Sequence, residues 1–156
     1  MRITFLWMGK TKERFIQDGI EKYLRFLRSY ADVDVRELKE EKVRDLKEAP
    51  GIRKKEAERI FKAVPGGASL VALDERGQEL TSHEFAAFLQ TTRDRGVREL
   101  VFVIGGAMGL DESVTEKADK TLAVARWTLT HEMVRVVLLE QLYRAFTIIT
   151  GKTYHY

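Results

Sequence analysis

Five consecutive apolar side chains, Leu100–Ile104, run straight into two glycines, Gly105-Gly106. A strand that is apolar at every position cannot keep one face in water. It must be covered on both sides, the environment of a parallel sheet sandwiched between helices. Residues 2–8 (RITFLWM) and 68–77 (ASLVALDERG) carry the same signature, the first ended by Gly9 and the second by charge. Val33, Val35 and Leu38 alternate with Asp32, Asp34 and Arg36, which reads as a strand with one wet face.

Helical patterns separate these strands. Over 11–29, Phe15, Ile16, Ile20, Tyr23, Leu24, Phe26 and Leu27 recur at helical spacing, with Gly19 as a weak point. Residues 39–50 are highly charged and read as a mobile connection closed by Pro50-Gly51. The segment 51–64 is amphipathic, with Ile52, Ala57, Ile60, Phe61 and Val64 apolar. Arg53, Lys54, Lys55, Arg59 and Lys62 lie opposite, either solvated and paired with Glu56 and Glu58 or in contact with RNA phosphates. Thr81 or Ser82 can cap a helix that turns Phe85, Ala86, Phe88 and Leu89 inward and stops at Gly96. The order β-α-β-α-β-α-β predicts one α/β domain over residues 1–156, with a mostly parallel sheet and helices on both faces.

In such sheets ligands sit off the carboxyl ends of strands. Two loops occupy that place. Gly105-Gly106-Ala107-Met108-Gly109 precedes a helix over 111–120, and Ala125–Thr130 follows a short strand, 121–124. Neither has the glycine spacing of a dinucleotide turn nor the GK[ST] of a phosphate loop, so neither NAD nor ATP is signalled. Free backbone N–H and C=O groups beside a glycine turn suit an adenine edge and an amino-acid tail. Trp127 is expected as buried support in preference to a stacking platform. Thr130 is a good N-cap for the last helix, with Glu132 in its positive first turn.

That last helix, His131–Thr150, is apolar nearly all round. Glu132, Glu140, Gln141, Arg144 and Thr147 share one half of the wheel, and Arg135 falls opposite, among Leu139, Leu142 and Phe146. Such a helix is buried on most faces, which suggests a homodimer packed through it. Arg135 then needs a carboxylate or carbonyl partner and is expected as an interface anchor rather than a substrate contact. Glu140 and Arg144 are spaced to form a helix pair.

Composition narrows the chemistry. There are no cysteines, which removes disulfides and thiolate chemistry and suits a cytoplasmic protein. His83, His131 and His155 are too scattered to suggest a metal site. No apolar run is long enough to span a membrane, and MRITFLWMGK lacks the pattern of a secretory signal. The net charge of +3 leans only weakly toward anionic partners.

GGAMGL, the helix TLTHEMVRVVLLEQLYRAF and the terminal TYHY together resemble the SPOUT-class ribosomal RNA large-subunit methyltransferase H family, and the resemblance runs from MRITFLWMGK to the C-terminus. It implies a deep C-terminal trefoil knot, a homodimer, S-adenosyl-L-methionine (SAM) as cofactor, no metal, and methylation of N3 of a pseudouridine in a 23S rRNA stem-loop of the ribosome. Carried over by match, it puts SAM against Leu73, Gly105, Gly106 and the run Val124, Ala125, Arg126, Trp127, Thr128 and Leu129. The same resemblance brings Tyr154-His155 to a neighbouring active site in the dimer. There Arg144 would stabilise charge on the target base and His155 would act as general base or phosphate contact, with Tyr143, Tyr154 and Glu140 as supports. Thr153 and Tyr156 depart from the family's ending. Two rival readings remain open: methylation of another RNA such as tRNA, and a non-catalytic ribosome-binding module, which would bind RNA without SAM. A nucleotide-dependent enzyme of flavodoxin-like architecture is disfavoured by the missing phosphate loop.

Overall fold

The computed structural model describes residues 1–154. Its elements are β1 (Arg2–Met8), α1 (Arg14–Leu27), β2 (Asp32–Leu38), α2 (Ala49–Ala63), β3 (Ser69–Glu79), α3 (Ser82–Asp94), β4 (Glu99–Ile104), α4 (Glu112–Lys117), β5 (Lys120–Ala123) and α5 (His131–Ile149). All five strands pair in parallel, in the order β2-β1-β4-β3-β5. The expected α/β sandwich is present.

The apolar strands face two cores. On one side, Ile3, Phe5, Trp7, Val71, Phe102 and Ile104 meet α1, α3 and α5. On the other, Leu6, Met8, Ala72, Val101 and Val103 meet Ala57 and Ile60 of α2 and Val114 of α4. Each strand therefore needs apolar residues of both parities, which is why β1 and β4 read as unbroken runs. β2, at the sheet edge, does not show the expected single wet face: Val33 and Val35 are half-buried on one core, Leu38 is half-buried on the other, and Asp32 and Glu37 are exposed.

Several boundaries differ from expectation for local reasons. α1 spans 14–27 rather than 11–29, because the residues before it are held in another arrangement. Glu132 of α5 accepts hydrogen bonds from the N–H groups of Lys12 (3.0 Å) and Glu13 (3.2 Å), tying the chain to α5 just ahead of the helix. Glu132 is consequently buried instead of lying on a polar helix face. Pro50-Gly51 does not close the connection before α2 but opens the helix itself, since proline's fixed φ and missing N–H cost nothing in a first turn. Gly19 is tolerated inside α1 because a Cβ there would come within 3.3 Å of Val136 on α5. Of the two cap candidates, Thr81 caps α3, with a reciprocal Glu84 bond.

α5 lies between α1 and α3 against the sheet, so most of its burial is met inside the chain. Arg135 is 0% exposed and anchors nothing external. Its guanidinium donates to the Met8 carbonyl (2.6 Å) and to Thr11 Oγ1 (2.7 Å), and sits 5.0 Å from the centre of the Trp7 ring. The expected carbonyl partner exists, but it belongs to β1 of the same chain. The interface role falls away for this residue.

Candidate active site: a cleft and a tail at opposite ends of one helix

Three strands end side by side and open a cleft of about 950 Å³. β4 stops at Ile104, and the chain reverses so tightly that Gly109 N–H donates to the Gly106 carbonyl at 3.0 Å. Side chains have no room in this reversal. A Cβ on Gly105 would lie 2.7 Å from the carbonyl carbon of Gly109, and Gly109 itself holds φ +75°. Asp111 then caps α4, and its carboxyl is held below the ordinary range first by the Ser113 hydroxyl and then by the Ser113 N–H.

β3 contributes by breaking its own ladder. It pairs with β5 over Val71–Leu73 and again at Gln78–Glu79, and the residues between leave the register. Leu73, Asp74, Glu75 and Arg76 come to the cleft in this way. Gly77 permits the close return, because a Cβ there would lie 2.6 Å from the Leu122 backbone. Asp74 lies well below its usual range, chiefly through its bonds with Arg76.

The third wall is the loop after β5. Thr128 Oγ1 donates to Glu75 Oε2 (2.9 Å), and Arg126 pairs with Glu79 (3.1 Å). Of the residues predicted for the cofactor, Leu73, Gly105, Gly106, Val124, Ala125, Trp127, Thr128 and Leu129 line one cleft. Arg126 is not among the lining residues; its side chain is directed at Glu79. Trp127 is not buried support, as it is 83% exposed at the cleft.

Sequence reasoning passed over His131, Asp74, Glu75, Arg76 and Glu112, all of which line the cleft. His131 had a usable signal, being the first residue after the Thr130 cap. Burial, followed by repulsion from Arg135, lowers its pKa, so the imidazole is neutral at pH 7. Arg53, one end of the basic face of α2, also reaches the cleft.

Glu56 was expected on the solvated face of α2, yet it is only 3% exposed. It lies under the glycine turn, near enough that a Cβ on Gly106 would come within 3.1 Å of its carboxylate. One oxygen accepts the Glu41 N–H (3.0 Å), and the other has no hydrogen-bond partner. Burial pushes this carboxyl above the ordinary range.

The other predicted residues gather at the far end of α5. Arg144 binds Glu140 through Nη2 (2.6 Å) and Nε (3.1 Å), and lies 4.5 Å from the centre of the Tyr154 ring. Tyr154 packs edge-on against Tyr143 at 4.9 Å, within a cluster that includes Tyr23, Phe26 and Tyr30. Burial and a hydrogen bond with Tyr23 raise the Tyr154 phenol, so it stays protonated at physiological pH. His155 lies outside the described residues. Thirteen residues of helix separate His131 at the cleft from Arg144, roughly 20 Å at 1.5 Å per residue. One chain does not bring its two sets of predicted residues together.

No group of three or more His, Cys, Asp or Glu side chains among the described residues is placed to hold a metal ion, and no helix is long and apolar enough to cross a membrane.

Comparison with known proteins agrees with the geometry. The chain is 48% identical over 156 residues to the ribosomal RNA large subunit methyltransferase H of Geobacter sp. (strain M21), covering all of this chain and 99% of that protein. The protein of the same name from Geotalea daltonii is also 48% identical, with both chains fully covered. Among solved structures, TrmJ from Z. mobilis ZM4 aligns with 91% of this chain and 69% of its own at TM-score 0.55 and 15% identity. A probable methyltransferase from Bordetella pertussis aligns with 92% and 95% at TM-score 0.53 and 11% identity. At that identity the likeness concerns the fold alone. A family model described as predicted SPOUT methyltransferase matches residues 1–155, and with end-to-end relatives at this identity the chain is a methyltransferase belonging to the SPOUT class, within the ribosomal RNA large subunit methyltransferase H family.

Proposed function

We propose that the protein is a SAM-dependent methyltransferase of 23S rRNA, acting in the cytoplasm on N3 of a pseudouridine in the ribosome as a homodimer whose active sites are shared between subunits. The names of its relatives support the rRNA substrate. The observation that carries the rest is the separation along α5: the cleft lies at one end and the Arg144–Tyr154 cluster at the other.

The cleft suits the cofactor chemically. Leu73, Ile104, Leu122, Leu129 and Val134 offer apolar walls, the two turns present backbone, and Asp74, Glu75 and Glu112 bring negative charge toward a cationic ligand. SAM, when bound, supplies a methyl group already activated by its sulfonium. The remaining work belongs to side chains. N3 of a uracil-type ring must lose its proton, and negative charge then spreads to the ring carbonyls. Arg144, held by Glu140 and stacked on Tyr154, is positioned to offer fixed donors to that charge. Neutral His131 adds no further positive charge to a cleft already lined by Arg53 and Arg76. His155 takes the proton or holds a phosphate in this scheme.

Because a helix is rigid over this distance, Arg144 and Tyr154 serve a cleft other than their own, and a second copy related by a twofold axis supplies it. The proposed trefoil knot belongs to the same reading. Support comes from the path after β4, which crosses below the sheet as α4, adds β5 outside β3, and returns above as α5 against α1 and α3.

Subunit mixing tests this. At a SAM concentration no higher than the wild-type Kd, Gly105→Ala should leave most clefts empty and Arg144→Ala should disable the tail, each nearly inactive alone in methyl incorporation into ribosomes lacking the modification. Co-folded, they should recover about a quarter of wild-type activity, from one composite site in half of the dimers. No recovery, in dimers verified to have exchanged, would put tail and cleft of one chain in the same site.

A further inference from the structure

The exposure of Trp127 has no explanation in the fold. A large apolar ring in water forgoes the burial that makes tryptophan useful, and tryptophan is among the residues enriched at contact surfaces, where one end of the side chain is apolar and the other wet. Trp7, the other tryptophan, is 1% exposed. The neighbours of Trp127 define its direction. Arg126 is tied to Glu79 and Thr128 to Glu75, both on β3, so the loop is pinned on either side of the indole. The ring is left at the cleft mouth, with 83% of its surface open.

Arg53 lines the same cleft as a cation suited to a phosphate, with Arg76 tied to Asp74 beside it, while the apolar walls that would receive an adenine are buried, at Leu73, Ile104 and Leu122. We infer that Trp127 lends its backbone to the cofactor wall and its ring to the RNA: a nucleobase swung out of the substrate stem-loop stacks on the indole as it enters the cleft. Stacking on an exposed aromatic is how proteins hold unpaired bases, since every base has a π-face and a splayed base must exchange one stacking partner for another. The inference rests on the rRNA methyltransferase reading and adds to it the group that receives the base.

The experiment compares wild type, Trp127→Ala and Trp127→Phe by three measurements. These are KM for ribosomes lacking the modification, kcat, and calorimetric affinity for SAM alone. The expected result for Trp127→Ala is a KM for ribosomes raised roughly 5- to 100-fold, the range that loss of one stacked base covers. Affinity for SAM should stay within about twofold, and Trp127→Phe should restore most of the KM because a ring remains. Equal loss of SAM affinity in Trp127→Ala would assign the indole to the cofactor instead, and dissociation of the variant into monomers would assign it to the subunit interface. An unchanged KM would also overturn the inference. If wild type neither methylates ribosomes nor binds SAM, the underlying function fails, and that outcome is separable from a failure of the Trp127 variants alone.

Discussion

The two ends of α5 are built from different materials. At its N-terminus the cleft owes its shape to backbone: a glycine reversal, a broken ladder in β3 and a loop pinned by Glu75 and Glu79. At its C-terminus the surface is all side chain, with Arg144 held between Glu140 and a ring of aromatic residues. Backbone groups can grip a ligand shared by many enzymes without titrating or changing rotamer. Side chains supply charge at a chosen atom. On the proposed reading, holding and reacting are separated by a rigid spacer, and a second subunit would bring them back together.

The largest effect should come from the reacting end. Arg144→Ala is expected to lower kcat for ribosome methylation about 100- to 1000-fold, the usual loss for one charge-stabilising donor, while SAM affinity measured by calorimetry is unchanged. A parallel loss of SAM affinity would mean that the two ends are not separate.

The spacer itself comes next. Arg135→Ala leaves the Met8 carbonyl and Thr11 without their donor and opens space beneath Trp7. It should cost about 3 kcal/mol and lower Tm by roughly 6–12 °C in thermal unfolding. A Tm within a degree of wild type would show that α5 is held mainly by its apolar contacts.

At the holding end, Gly105→Ala forces a Cβ against the Gly109 backbone. SAM affinity should fall roughly 10- to 100-fold, the equivalent of a modest overpacking penalty, with far-ultraviolet circular dichroism unchanged. Retained affinity would show that the turn does not touch the cofactor.

The smallest effect is a pH dependence. His131 has a lowered pKa, first through burial and then through Arg135, so it takes a proton only below the ordinary histidine value of about 6.5. As pH falls, the unfolded chain is protonated first, so the stability owed to the neutral imidazole is present above that value and lost on acidification. Protonation also adds a cation to the cleft. SAM affinity should therefore weaken a few-fold between pH 7 and pH 5, and His131→Asn should flatten the profile. A flat wild-type profile would exclude His131 from the cofactor's surroundings.

Much of this was written in the order of residues. Unbroken apolar runs at 5–8 and 100–104 specify strands covered on both faces, because no register shift can hide such a run in a one-sided sheet. The glycine turn and the loop after Val124 were legible as walls of one cleft, since a strand end, paired glycines and a helix cap are local signals. Motif resemblance added the tail and its roles. What the order of residues left open was decided by long-range contacts. Glu56 and Glu132 look like solvated helix positions until Glu41, Lys12 and Glu13 turn their N–H groups on them. Arg135 looks like an interface anchor until β1 offers a carbonyl across 127 residues of chain. Trp127 looks like core until two carboxylates on β3 pin its neighbours and leave the ring in water. Periodicity reports which residues share a face, but not what that face meets. A polar group is buried only when a distant partner satisfies it, and a partner is a fact of three dimensions.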